Sequence, residues 1–364
     1  MTFNSNFNFF SPNKLKQDIP TWADPKEKYT CQVISVKKEK AMLGIKTNLV
    51  YQLIPTFSNI QVSRKISQFE WLNQKLSCKF SMAFLPPLPD KRAIQQSDSK
   101  DDETECKRQL LQRWVNRIST HPVLSQSNVF RDLFLSTTDA KRYSDSKKLF
   151  DKDQYVGGQF FYLIKAPKVN RETCEKLLDQ FVSFTKSMEN SCAIFEETSS
   201  SFLKSHVLSV EKQYEKTANA FASLAQTFEL NTLDRSNELA VLYREVGKLY
   251  IDSAILFRKK CVGATKSLLA IIREYNSILK NVPDIMIIQK TAMQKASSKK
   301  GNLSEQEESE MNDRVNVVTA TLAAEVTHFH KERIEDFNDI LMEYLKDQLE
   351  YHEGVSDVGL YAIV

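Results

Sequence analysis

The chain has 364 residues, of which 50 are Lys or Arg, 46 are Asp or Glu and 41% are hydrophobic, giving a formal net charge of +4. That length allows two domains that each bury a core, and so small a charge excludes nucleic-acid binding by bulk composition and leaves anion binding to local clusters. Six cysteines, at 31, 78, 106, 174, 192 and 261, are spread too widely for a local zinc knuckle or dithiol motif, and no basic-then-apolar leader or bilayer-length apolar run is present, so the reading is a soluble, non-secreted protein with reduced thiols.

Residues 1–28, opening "MTFNSNFNFFSPN", are Asn-, Ser- and Phe-rich and poor in branched aliphatics, which predicts a flexible arm. Its four Phe residues fit either rings packed on a neighbouring domain or short linear ligands. From Tyr29 to about Thr56, "YTCQVISV" and "LGIKTNLVYQLIP" alternate in polarity around Gly44. This predicts a twisted antiparallel hairpin, with "NIQVSRK" as a third strand. Helical spacing follows in "SQFEWLNQKLSCKF" and, after the proline loop "FLPPLPDKR", from about Asp102 to Ser119. A short helix over 129–135 closes this α+β unit.

Beyond Ser136 glycine and proline become scarce and apolar residues fall in steps of three and four, for example at 177, 181, 184, 188, 192 and 195 and at 203, 207, 210, 214, 218, 221, 225 and 228. The spacing predicts three long helices, about 171–228, 233–298 (bent near Pro283) and 304–353, with a turn at "SSKKGN". The glycines of "HEGVSDVGLYAIV" predict an early or frayed end to the third. Helices so long with so few apolar positions per turn bury too little alone, which predicts an antiparallel homodimer.

No enzyme is expected. His328 and His330 in "HFH" point about 200° apart on a helix and cannot share an ion, which predicts one packed and one exposed ring. His121 in "THPVLS" is expected to order a helix end. Phosphate-loop, zinc-protease and serine-elbow motifs are absent. No metal or cofactor is expected.

A small three-stranded sheet with helices and a proline loop, then three long helices, resembles the sorting nexins that join a PX domain to a BAR domain. The stretches "VYQLIPT", "FEWL", "LPPLPDK", "HPVLSQSNVF", "NVPDI" and "AEVTHFHKERIEDF" are similar to the endocytic branch that carries an N-terminal Src-homology domain. No such domain precedes Met1, so dynamin-type proline-rich partners are expected to lack their module here. The resemblance implies an α+β PX domain at 29–138, a yoke from residues 1–28 and 139–165 that fastens it, and an all-α BAR domain at 166–364 forming an antiparallel homodimer. It also implies a cytoplasmic protein, peripheral on plasma membrane, endocytic vesicles or endosomes, that binds phosphoinositides and senses or induces curvature in endocytosis and endosomal trafficking. The alternative is a scaffolding coiled-coil dimer whose PX domain no longer binds lipid. Endocytic coat or Src-homology-domain proteins are further expected partners, and nucleic acid is not.

In that family an Arg–Tyr pair ending the third strand holds the 3-phosphate and stacks on the inositol ring. Aligned on Phe69, the pair is Lys65 and Ile66 here, with Arg64 on the opposite strand face. A Lys after the proline loop and a basic position on the next helix match Lys91 and Lys107. "FLPPLP" is similar to the membrane-inserting loop, with Phe84 and Leu85 as apolar candidates, although it also fits PxxP spacing. Further lipid-facing clusters are Lys141, Arg142, Lys147 and Lys148 on an amphipathic yoke stretch, and Lys290, Lys295, Lys299 and Lys300 at the tip between the last two helices, where Glu305, Glu307, Glu308 and Glu310 are expected to neutralise part of the charge.

Overall fold

A computed structural model describes residues 19–25, 27–40, 47–89, 100–161, 170–230, 234–299, 301 and 303–361. The Phe-rich start of the arm, the turn around Gly44, Lys91, the end of the yoke segment and Lys300 lie outside the described residues. The chain divides into two compact units, residues 1–186 with 277–331 and residues 187–276 with 332–364.

The first unit opens with the antiparallel sheet β1 (Cys31–Lys40), β2 (Thr47–Pro55) and β3 (Val62–Lys65), in the order 1-2-3. Register pairs Cys31 with Pro55 and Tyr51 with Arg64, with a bulge between Val33 and Ser35. An edge strand leaves backbone groups unpaired. Helix α2 (Lys100–Thr120) covers this edge of β1: the Gln112 side chain accepts from the Val33 N–H and donates to the Cys31 carbonyl, while Arg108 donates to the Val33 carbonyl. Helix α1 (Ile66–Lys79) follows β3 without a loop and buries Phe69, Leu72 and Leu76 at helical spacing. Phe69 is the hub of this core, edge-on to Tyr51, Trp114 and Phe134 at 5.8, 6.0 and 5.0 Å. The short helix expected over 129–135 is a π-turn, Val129–Leu135. Helix α3 (Ala140–Asp151) is capped by Asp139, which accepts from the Arg142 N–H, and a short α4 (Gly158–Phe161) follows.

The long helices are present, but two of them contain π-turns. Helix α5 (Arg171–Ser201) passes through a π-turn at Phe202–His206 into α6 (Val207–Glu229), and α7 (Asp234–Phe257) passes through another at Arg258–Val262 into α8 (Gly263–Leu279). In the second unit both π-turns border one apolar cluster of Val207, Phe257, Cys261 and Val262, with Phe202, Leu203, Tyr214 and Tyr351 against it. Helices α6 and α7 meet through Phe221 and Tyr250, stacked 5.6 Å apart, and through Gly247, where an added Cβ would stand 3.1 Å from the Ala218 carbonyl. The break before α9 (Val282–Lys299) places Pro283 in a first helical turn, where its missing N–H costs nothing.

The last helix, α10 (Glu305–Tyr361), corrects the expected early stop: it runs 57 residues, through Gly354. A Cβ at Gly354 would lie 2.5 Å from Leu256 Cδ2. The glycine therefore makes room for a neighbouring helix. Its intrinsic helix cost, about 1 kcal/mol, is too small to end a helix held by packing.

Glu325 of α10 is the centre of the first unit. It is 1% exposed, and its carboxylate accepts from the Trp22 indole N–H at 2.8 Å and the Phe84 backbone N–H at 2.7 Å, with His121 Nε2 at 3.1 Å. His121 Nδ1 accepts from the Val123 and Leu124 N–H groups, so the ring does order a helix end, and the tautomer this fixes donates from Nε2 to Glu325. Burial alone would push the Glu325 carboxyl up, but the His121 ring, His328 and the Phe84 N–H together outweigh it and hold it below the usual carboxylate range. Around it Phe84 stacks on Phe181 at 5.4 Å and meets Phe329 edge-on at 5.8 Å. Neither histidine of "HFH" is exposed: His328 lies edge-on to His121 at 4.7 Å, and His330 lies against Phe184 at 5.0 Å. Both flanks of this helical stretch are covered.

Replacing Glu325 with Leu strands three donors and is expected to cost about 3 kcal/mol in urea unfolding. Trp22→Phe removes one donor and is expected to cost about 1 kcal/mol. Because the folded carboxyl titrates below its ordinary value of 4.5, its stabilisation is full above that value and is lost as pH falls through the lower folded one. Acid unfolding curves of the Glu325→Gln chain are expected to lack that component.

Candidate membrane-binding surface

Burial along β3 alternates, with Val62 and Arg64 inside and Ser63 and Lys65 outside, as the two-residue period of a strand requires. The two adjacent cations are thereby separated. Lys65 is exposed, and no carboxylate among the described residues pairs with its ammonium. Its backbone N–H donates to Gln68 Oε1 at 2.8 Å, tying the strand end to the first turn of α1, which carries no acidic residue. Ile66, half-buried, is the first residue of that helix. A cation beside an uncompensated helix N-terminus is a suitable place for an anion.

Arg64 is 3% exposed. Its Nε donates to the Phe134 carbonyl at 2.8 Å, Nη1 to Ser63 at 2.7 Å, and Nη2 to Thr137 at 2.6 Å and Leu133 at 3.3 Å. The guanidinium lies over the Tyr143 ring at 4.7 Å and the Phe134 ring at 5.4 Å. Burial lowers its pKa to about 10, so it stays charged at neutral pH. Trp71 of α1 meets Tyr143 edge-on at 6.3 Å and donates to Asp151 at 3.0 Å; Lys75 pairs with Asp151 at 2.9 Å and Lys79 with Asp153 at 2.5 Å. Asp151 and Asp153 are both held below the usual carboxylate range, chiefly by hydrogen bonds from Lys75 and Lys79 respectively.

The remaining expected cations differ in availability. Lys107 is half-buried on α2, beside an Arg108 already engaged by Glu105 and the Val33 carbonyl. On α3, Lys141, Arg142 and Lys148 are exposed, as is Leu149 at 72%, and Lys148 pairs with Asp145 at 3.1 Å. Lys147 departs from the expected cluster: its ammonium lies 5.5 Å from the centre of the Trp71 ring, where it gains a cation–π contact. Lys290, Lys295 and Lys299 are exposed on α9. Two of the acids expected to neutralise the tip also hold its backbone: Glu307, which interacts electrostatically with Lys299, accepts from the Ser304 N–H and hydroxyl, and Glu308 accepts from the Gly301 N–H. These are bonds that close a tight turn with Gly301 at φ +83°.

The membrane-inserting assignment of Phe84 and Leu85 is corrected. Both are buried, with Phe84 held by Phe181, Phe329 and Glu325. An apolar pair beside prolines satisfies a core as readily as a bilayer, and here the ring partners and a buried acceptor decide it. Pro86 is also buried, its carbonyl accepting from the Trp114 indole at 3.0 Å, so the PxxP face is not open to a reader. Sequence reasoning missed Glu325 and Tyr143. Glu325 had a signal, being the one charge in "VNVVTATLAAEV"; Tyr143 had none beyond its place in a basic helix.

Among the described residues, no group of three His, Cys, Asp or Glu side chains is placed to hold a metal, and no helix is long and apolar enough to cross a membrane. Residues 52–138 match the PX domain, and residues 139–358 match the family described as the WASP-binding domain of sorting nexin protein. Similar curated proteins include sorting nexin lst-4 of Caenorhabditis elegans, 31% identical over 94% of this chain and 61% of that protein. Sorting nexin-18 of Mus musculus is 28% identical over 93% and 56%, and sorting nexin-33 of Homo sapiens 29% identical over 92% and 59%. The chain thus spans about three fifths of the length of these relatives. The cryo-EM structure of the SNX-BAR Mvp1 tetramer has a similar fold, with a TM-score of 0.62 at 15% identity over 91% of this chain and 98% of that one. With a PX domain followed by a BAR-type region that matches along most of its length, the chain belongs to the sorting nexins.

Proposed function

We propose that this sorting nexin is a peripheral membrane adaptor that binds phosphoinositide-bearing bilayers and stabilises curvature as a homodimer in endocytic or endosomal trafficking, on the cytoplasmic side of plasma membrane, vesicles or endosomes. The observation that carries the lipid reading is Lys65, an exposed cation at the N-terminus of α1 that pairs with no carboxylate among the described residues. Lys107, Lys141, Arg142, Lys148, Lys290, Lys295 and Lys299 add local positive charge on a chain of small net charge, each worth about 1 kcal/mol, or roughly fivefold in binding, where it meets an anionic leaflet. Lys91 and Lys300 are assigned to the same surfaces from the sequence. Ile66 offers no aromatic face and Lys65 no planar fork, so binding is led by charge, with weak discrimination among inositides. Phe84 and Leu85 are themselves buried, which leaves insertion by them outside the proposal.

Support for the dimer comes from the second unit. Ile251 and Ile255 on α7, and Leu341, Leu345 and Leu349 on α10, are exposed at four-residue spacing and so line single helix faces. Rows of this kind are what a second copy covers in a helix bundle. Light scattering on the purified chain is expected to give about twice the 42.0 kDa chain mass, and a stable monomer at micromolar concentration sinks the dimer.

Co-sedimentation with vesicles of graded phosphoinositide content tests the lipid reading. Binding is expected to fall steeply with added salt. Lys65→Arg with Ile66→Tyr supplies the fork and ring and is expected to strengthen binding by about 1 to 3 kcal/mol. Protein that stays in the supernatant on every anionic mixture would favour a scaffold serving protein partners instead.

A further inference from the structure

We infer that Arg64 and Tyr143 couple the lipid-reading end of β3 to helix α3, so that Lys65 and the cations Lys141, Arg142 and Lys148 meet an anionic bilayer as one rigid surface; this rests on the membrane-binding reading above. Arg64 is a positioning residue, since it touches no lipid itself. Buried arginines normally face a carboxylate, yet all four hydrogen bonds found here go to backbone carbonyls. Capping the π-turn would need only the Leu133 and Phe134 carbonyls. The guanidinium reaches further, to the Thr137 carbonyl two residues before the α3 cap and to the Tyr143 ring in the first turns of α3.

The ring, not the hydroxyl, makes this contact. Tyr143 is 5% exposed and its hydroxyl is buried with no hydrogen-bond partner among the described residues, and burial pushes that group up to about 12. At the other end of α3, Asp151 is held by Trp71 and Lys75 of α1, the helix that begins next to Lys65. Helix α3 is therefore fastened at both ends to the strand and helix that carry the candidate phosphate site. Two cationic groups on one rigid body need no further ordering once the first has bound, so their contributions multiply in affinity and their charges sum in the salt dependence. A loosely hinged α3 would forfeit most of that gain.

The test uses the full chain and vesicles of phosphatidylcholine and phosphatidylserine with and without phosphatidylinositol 3-phosphate, with affinity measured over a salt series. Tyr143→Phe keeps the ring and is expected to match the wild type in affinity and salt slope. Tyr143→Leu leaves every surface charge in place, yet it is expected to bind about tenfold more weakly, with a shallower slope. Charge reversal by Lys141→Glu with Arg142→Glu is expected to damage the wild type strongly and the Tyr143→Leu chain little. If Tyr143→Leu does not fold, Arg64→Lys serves, because it retains the charge without the planar stack and is expected to show the same shallower slope. A folded Tyr143→Leu or Arg64→Lys chain with wild-type slope and wild-type sensitivity to the reversal overturns the coupling alone. A wild type that binds none of the vesicles overturns the membrane reading and the coupling together.

Discussion

A carboxylate removed from water must be given donors in place of the solvent it loses, and the first unit is organised around that requirement at Glu325. Its three partners come from the N-terminal arm, the proline loop and the end of α2, segments separated from it by 303, 241 and 204 residues. An aliphatic residue there would have packed with any of several neighbours. A carboxylate accepts only an arrangement in which all three donors point at it, so the site favours one geometry over looser packings. The packing of Phe84, stacked on Phe181 and edge-on to Phe329, is compatible with that geometry because the Phe84 backbone N–H is one of the three donors.

The cations of "SRK" divide their labour along the same line between inside and outside. Arg64 uses a planar fork to gather four carbonyls, one from Ser63 and three from residues 133–137, work for which a lysine has the charge but not the shape. Lys65, one pleat away, turns its charge to the solvent. Salt in the solvent screens the exposed charge far more than the buried one, so the pair presents one tunable and one constant source of positive potential at the start of α1.

Much of this was legible in the sequence because it depends on local periodicity. Alternation in "YTCQVISV" and "VSRK" placed two of the strands and put Arg64 and Lys65 on opposite faces, and three-and-four spacing revealed the long helices. What stayed hidden depends on partners distant in sequence. Phe84 and Leu85 look the same beside prolines whether they face lipid or core, and only Phe181, Phe329 and Glu325 distinguish the two. Gly354 looks like a helix stop because its approach to Leu256 involves a residue nearly one hundred positions away. Lys147 sits in a basic cluster by sequence, but Trp71 from another helix claims it.

The two π-turns give the second unit an unusual relation to chain length. A π-turn holds one residue more than the α-turn it replaces, and each helical residue advances the facing direction by about 100°. Loss of one residue from 202–206 would therefore restore an α-turn and leave Tyr214 and Phe221 facing Tyr250 and Tyr351, which they now meet, whereas loss of one residue from the α-turns of α6 before Tyr214 would swing them away. The turn at 258–262 borders the same cluster from the facing helix, so Phe257 and the α8 residues beyond it are held to their neighbours by an equivalent offset. At these two sites the chain can lose the extra residue without turning the helix beyond it, while a one-residue change in the α-turns on either side acts as a rotation, so tolerance of length change is concentrated at the π-turns.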